Sequence, residues 1–169
     1  MAVSQGGVEA GARVAVTTTL AASAGAMTAI VLSEVTTGYI EPEPLTTGLL
    51  GALVGITAPC AVVTEAEALV IGAIGSLVAI YATRLEVWLR IDDPCSAFAI
   101  HGAAGIWGVI AVGLFAQPEP CMGMDVKGLF RGGGWELLGV QVLACLVITL
   151  WAAIMCLLTL GAMPLNPTP

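Results

Sequence analysis

His101 is the only histidine in the chain, and it stands in a run from Cys95 to Ala116 with no other ionisable side chain except the Cys95 thiol. Two carboxylates, Asp92 and Asp93, and a proline, Pro94, precede that run. An ionisable group inside an apolar span is costly and marks a functional site by default. Burial disfavours a charged imidazole, so the expected form is neutral. A neutral imidazole carries one donor and one acceptor, enough to bond a small polar solute or relay a proton. The Asp92-Asp93-Pro94 sequence reads as a helix start, with aspartate as the N-cap and proline at the first helical position. On that reading His101 lies two turns deeper than Asp93, about 12 Å along the axis and rotated by about 80°. Asp93 then belongs at the membrane edge and His101 within the membrane. Gly102, Ala103, Ala104, Gly105 and Gly108 leave little bulk around the imidazole. One histidine without neighbouring cysteines or carboxylates is too few ligands for a metal, so no metal site and no cofactor are expected. No serine stands in a recognisable nucleophile turn, so no catalytic residue is assigned and the chain does not read as an enzyme. A histidine packed against a neighbouring helix is the alternative reading of the same residues.

The elements that position these groups follow from composition. Of 169 residues, 58% are hydrophobic and 10% charged, against about 25% charged in a soluble domain. That deficit implies an integral membrane protein, and lipid admits only helices and closed barrels. The long apolar runs show no period-two alternation, which leaves an all-α, polytopic helix bundle. Five spans are expected at about 14–34, 46–64, 67–88, 94–116 and 136–160, between a polar start (1–12) and a short tail (162–169). The start lacks a basic segment and a cleavage pattern, so no secretory leader is expected. In the second span Gly48, Gly51 and Gly55 form a smooth face, and Pro59 should kink or break the helix. Gly72, Gly75 and Ser76 make the small face of the third. That span ends in Arg84, Trp88 and Arg90, which read as an interface anchor. Thr17, Thr18, Thr19 and Ser23 in the first span suit close helix packing, with substrate contact as the other reading. The net charge of −7 has no basic cluster, which argues against nucleic acid as a partner. Cys60, Cys95, Cys121, Cys145 and Cys156 form no CxxC pair, so neither a zinc site nor a disulfide framework is expected. Counting basic residues places Arg13, Lys127 and Arg131 on one side and Arg84 and Arg90 on the other. Positive-inside reasoning puts the first set in the cytoplasm by one residue.

The run RIDDPCSAFAIHGAAGIWGVIAVGLFA, Arg90 to Ala116, resembles the signature around the second pore histidine of ammonium transporters (the Amt/Mep/Rh family). Asp-Asp-Pro, His-Gly and Gly-Ile-Trp-Gly at this spacing are specific to that family. Val16 to Gly25 resembles its helix opening on an Asn-Thr-Thr-Leu-Ala-Ala-like run, with Thr17 where asparagine is usual. Gly48 to Cys60 resembles its Gly-Leu-Leu-Ala-Gly-Leu-Val-Ala-Ile-Thr helix, and Gly132 to Trp151 its last helix. The resemblance implies a fold of eleven helices in two inverted halves plus a last helix, assembled as trimers with one pore per subunit. It covers the seventh to eleventh helices only. It implies that His101 lines the pore and that Asp93, with Asp92, has a structural and electrostatic role at the mouth of the pore helix. It also implies that ammonium or ammonia is the substrate and that the chain acts in a homo- or hetero-oligomer in the plasma membrane. The Arg84–Arg90 loop would then face the cytoplasm, against the charge count. The alternative is a non-transporting fragment, or an assembly subunit of complete relatives, because half of the repeat pair cannot enclose a pore that forms at the repeat interface.

Overall fold

The computed structural model describes residues 2–118 and 125–162, with side chains from Val8 onward. Cys121 and the tail 163–169 lie outside the described residues. Five α-helices occur among the described residues, in chain order α1 (Ala2–Thr37), α2 (Pro42–Thr57), α3 (Glu65–Leu89), α4 (Ala104–Phe115) and α5 (Glu136–Ala162). A π-helical turn, Phe98–Ala103, leads directly into α4. No strand occurs among the described residues, and the all-α membrane bundle expected from composition is what forms. α1, α3, the π turn with α4, and α5 are each long and apolar enough to cross a membrane. The first helix already begins at Ala2, so the stretch 1–12 expected as a polar segment is, from its second residue, part of α1.

α1, α2 and α3 pack on one another, α4 packs on α2 and α3, and α5 packs on α4. Small residues set the spacing. Gly72 lies against the backbone of Ala21 so closely that any β-carbon there would collide with it. Gly51 and Gly75 face each other across α2 and α3 in the same way. Hydroxyl groups join these close faces. Ser76 Oγ, fully buried on α3, donates to the Gly25 carbonyl of α1 at 2.9 Å. The Trp107 indole of α4 donates to the Ile71 carbonyl of α3 at 3.0 Å. Its ring packs against a core of Ala21, Ile56, Val63, Ala68, Ile71 and Ala111.

The second span is broken rather than kinked. α2 ends at Thr57, and Ala58 to Val63 continue in turns. At 16 residues and about 1.5 Å per residue, α2 reaches only about 24 Å. Pro59 removes one backbone donor, and a single further α-type bond, Cys60 N to Ile56 O at 2.9 Å, follows before the chain turns away. Irregular backbone at membrane depth is tolerated where protein buries it, and Pro59, Val62 and Val63 are buried. The carbonyls of the turns find partners: Cys60 O accepts the Thr17 hydroxyl of α1 at 2.8 Å. Val62 O accepts the Gln117 N–H, beyond the end of α4, at 2.9 Å. Thr17 is fully buried, and its hydroxyl joins α1 to the turns after α2.

α3 opens with a capping box: Thr64 Oγ1 accepts from Glu67 N at 3.4 Å, and Glu67 Oε2 accepts from Thr64 N at 2.9 Å. The other oxygen of Glu67 pairs with Arg131 at 2.7 Å, which pins the segment after α4 to the start of α3. Phe115 and Phe130 meet edge to face at 5.2 Å beside it.

Candidate functional site

The end of the bundle opposite Pro59 carries the sequence-singled residues. α3 stops in a Schellman motif: Ile91 N donates to Glu86 O at 2.9 Å and Arg90 N to Val87 O at 3.1 Å. Arg90 takes the left-handed conformation this ending requires, φ 60°. Glycine is usual there because a β-carbon is strained. A second left-handed residue, Ser96 at φ 50°, closes the same loop. Non-glycine residues in that region store strain that the surroundings must hold.

The holding group is Asp93. Its Oδ2 accepts the Phe98 N–H at 2.8 Å, and its carbonyl accepts the Ser96 N–H at 3.1 Å. The backbone N–H groups of Ala97 and Phe98 hold its carboxyl below the usual carboxylate range. Helix formation therefore begins at Ala97, not at Pro94 as the Asp-Pro pair suggests. Pro94 occupies a turn, and Asp93 caps from outside it. Asp92 is exposed. His101 thus stands one turn inside the helix start rather than two.

The turn that carries His101 is π-helical, with Ala104 N donating to Ala99 O five residues back. Such turns insert one extra residue and re-aim side chains, and they recur at functional sites. This turn packs against α3 and α2. Ala99, Ile100 and Ala104 are buried in that contact while His101 is exposed. The imidazole is therefore presented on the outer surface of the five helices, not packed in their core. Pro59 is not part of this arrangement and belongs to the opposite end. Among the described residues no three histidine, cysteine, aspartate or glutamate side chains come together as a metal site.

One residue that sequence reasoning passed over is central here. Glu86, in the last turn of α3, is 4% exposed, and its carboxyl group lies within hydrogen-bond reach of Asp93. In sequence it sits between Arg84 and Arg90 and reads as part of a charged helix end. Only the fold of the loop back over α3 buries it. A cleft of about 570 Å³ opens along the same helix, walled by Tyr39, Glu41, Glu43, Thr83, Arg84 and Val87 among others. His101 is not among its walls. Within it the Tyr39 phenol bonds to Glu41, and that carboxylate pushes the phenol pKa up.

Residues 2–167 match the model of the Ammonium Transporter Family. Ammonium transporter 1 member 2 of Oryza sativa subsp. japonica is 40% identical over 146 residues, covering 83% of this chain and 29% of the relative. A putative ammonium transporter 2 of Caenorhabditis elegans is 35% identical over 163 residues, covering 90% of this chain and 32% of the relative. Among solved structures, Mep2 of Candida albicans superposes with a TM-score of 0.80 at 27% identity, over 90% of this chain and 35% of that one. A protein described as a sensor Amt protein gives 0.76 at 33% identity, over 90% of this chain and 37% of that one. The chain spans about three-tenths of the length of the curated relatives it matches. With its helices, its broken second span and its Asp-Asp-Pro and His-Gly run all falling within that match, this multi-pass membrane chain belongs to the ammonium transporter family.

Proposed function

We propose that this chain supplies the His101-bearing half of an ammonium-conducting pore, whose other wall is a further helical segment. The observation that carries this reading is the placement of His101. It is the one histidine of the chain, and it is presented outward on a π turn while its neighbours Ile100 and Ala104 are buried. A bare cation in a low-dielectric passage costs tens of kcal/mol by Born estimates. Ammonium that leaves its proton at the mouth crosses as neutral ammonia, and an imidazole with one donor and one acceptor serves both the solute and the proton. Asp93 and Asp92 act at the mouth of the same helix, Asp93 by fixing the turn and both by their negative charge. Pro59 serves the scaffold by ending α2. The working unit is an oligomer in the plasma membrane, a trimer by analogy with the family, with no enzymatic step.

The second reading is a non-transporting piece or an assembly subunit. It is supported by the open side of His101 and by the three-tenths coverage of the relatives. Methylammonium uptake in a host without ammonium transporters separates the two. The expected result is negligible uptake by the chain alone, and uptake when a segment covering the remaining helices of a relative is co-expressed. That uptake is lost in His101→Ala. Uptake that survives His101→Ala removes His101 from the pore, and correctly inserted pairs that never conduct leave the second reading standing.

A further inference from the structure

Glu86 has both carboxylate oxygens buried, and neither has a hydrogen-bond donor. A buried, ionised carboxylate without a partner is strongly unfavourable. What it meets instead is another acid, the side chain of Asp93. Two ionised carboxylates are acceptors only, so their contact is repulsive unless a proton lies between them. Asp93 already accepts the Phe98 N–H, which favours its ionised form. We infer that Glu86 carries the proton and donates it to Asp93, so that one shared proton clamps the Arg90–Ala97 loop, and with it the His101 turn, onto α3.

The other charged groups at this end do not replace that proton. Arg84 lies over the Tyr81 ring at 5.4 Å. Arg90 and Asp92 are exposed on the loop. Glu41 and Glu43 stand at the start of α2, on the wall of the cleft. His101 is on the turn packed against α3 and is exposed. None of them gives Glu86 a hydrogen bond. Loss of the shared proton leaves two like charges in contact at the foot of a loop already bracketed by two left-handed residues. The clamp is therefore closed at neutral and mildly acidic pH and opens as pH rises. Glu86 is a positioning residue for His101, acting through Asp93, and this holds whether or not the chain conducts.

Infrared spectroscopy of the purified chain in lipid discs tests the assignment. The C=O stretch of a protonated carboxyl is expected at neutral pH and is lost in Glu86→Gln. Glutamine still offers Asp93 a donor but does not titrate. The melting temperature of the unsubstituted chain is therefore expected to fall as pH is raised, while that of Glu86→Gln stays level. A carboxyl band that persists in Glu86→Gln, or an alkaline fall unchanged by that substitution, overturns the proposal. If Glu86→Ala fails to fold, the near-isosteric glutamine variant still decides the matter through both readouts.

Discussion

The α-carbon of Gly108 in α4 rests against the carbonyl oxygen of Gly55 in α2, where a β-carbon would fall 2.6 Å from that oxygen. The Gly55 carbonyl is also the acceptor that the N–H of residue 59 would have satisfied in an unbroken helix, and Pro59 has none. The close glycine contact and the broken span are thus one feature. The end of α2 frees an acceptor, and α4 lies directly on it.

Gly108→Ala is therefore expected to destabilise the bundle by about 1–3 kcal/mol, the usual range for overpacking a tight core. Gly105→Ala is the control, because a β-carbon there meets only Val54 Cγ1 at 3.9 Å, an ordinary contact. Thermal unfolding of the two variants side by side checks this. Helix propensity favours alanine at both positions, so a loss confined to Gly108→Ala reports the Gly55 contact, and equal changes in the two variants would rule that contact out as the cause.

Trp107→Phe keeps the ring in the core but removes the bond to Ile71 O. The expected loss is small, about 0.5–1.5 kcal/mol, the net worth of a typical hydrogen bond. Trp107→Ala removes the packing as well and is expected to cost about 3–5 kcal/mol. Unfolding midpoints of the two variants give the ratio directly.

Glu67 makes two kinds of bond, one within the capping box of α3 and one to Arg131. Arg131→Ala removes only the partly exposed ion pair and is expected to cost at most about 1 kcal/mol. Glu67→Gln preserves the capping box, because glutamine serves at that position, and should behave like Arg131→Ala. Glu67→Ala loses both, adding about 1 kcal/mol for the cap. A loss for Glu67→Gln as large as that for Glu67→Ala would assign the main role to the ion pair.

Asp93 is expected to contribute to the acid limb of stability. Its folded pKa is depressed by the Ala97 and Phe98 N–H groups. A depressed carboxylate contributes stability that is fully present above its unfolded pKa and lost as pH falls through the folded one. With an unfolded value of about 3.9, the loss falls below about pH 4. Asp93→Asn should melt lower at neutral pH and show a flatter acid limb. A melting curve taken against pH in both proteins reports whether the limb belongs to this residue.

Much of the fold is legible in the residues themselves. Five apolar runs, the small faces at Gly48–Gly51–Gly55 and Gly72–Gly75–Ser76, and the Pro59 break are all local properties, and the helices use them. The start of the fourth helix is not local. Asp-Pro suits a first helical turn and a loop turn equally, and the choice falls to the side chain of Asp93, which reaches past Ser96 to Phe98. The burial of Glu86 is also hidden, because a charged residue between two arginines near a helix end looks solvated until the loop folds over it. The π turn leaves no mark in composition. His101 stands out in the sequence by its isolation and by the motif around it, while its outward placement depends on which neighbours the α2 and α3 contacts bury.

The turns after Thr57 have a consequence for the order in which the chain is built. Their carbonyls are completed by Thr17, already in place, and by Gln117, which leaves the ribosome only after α4. A nascent chain that has inserted only its first three helices therefore holds one half-finished span, with the Val62 acceptor still exposed. Only once α4 is made can Gln117 reach that acceptor, so completion of the second span depends on the segment bearing His101.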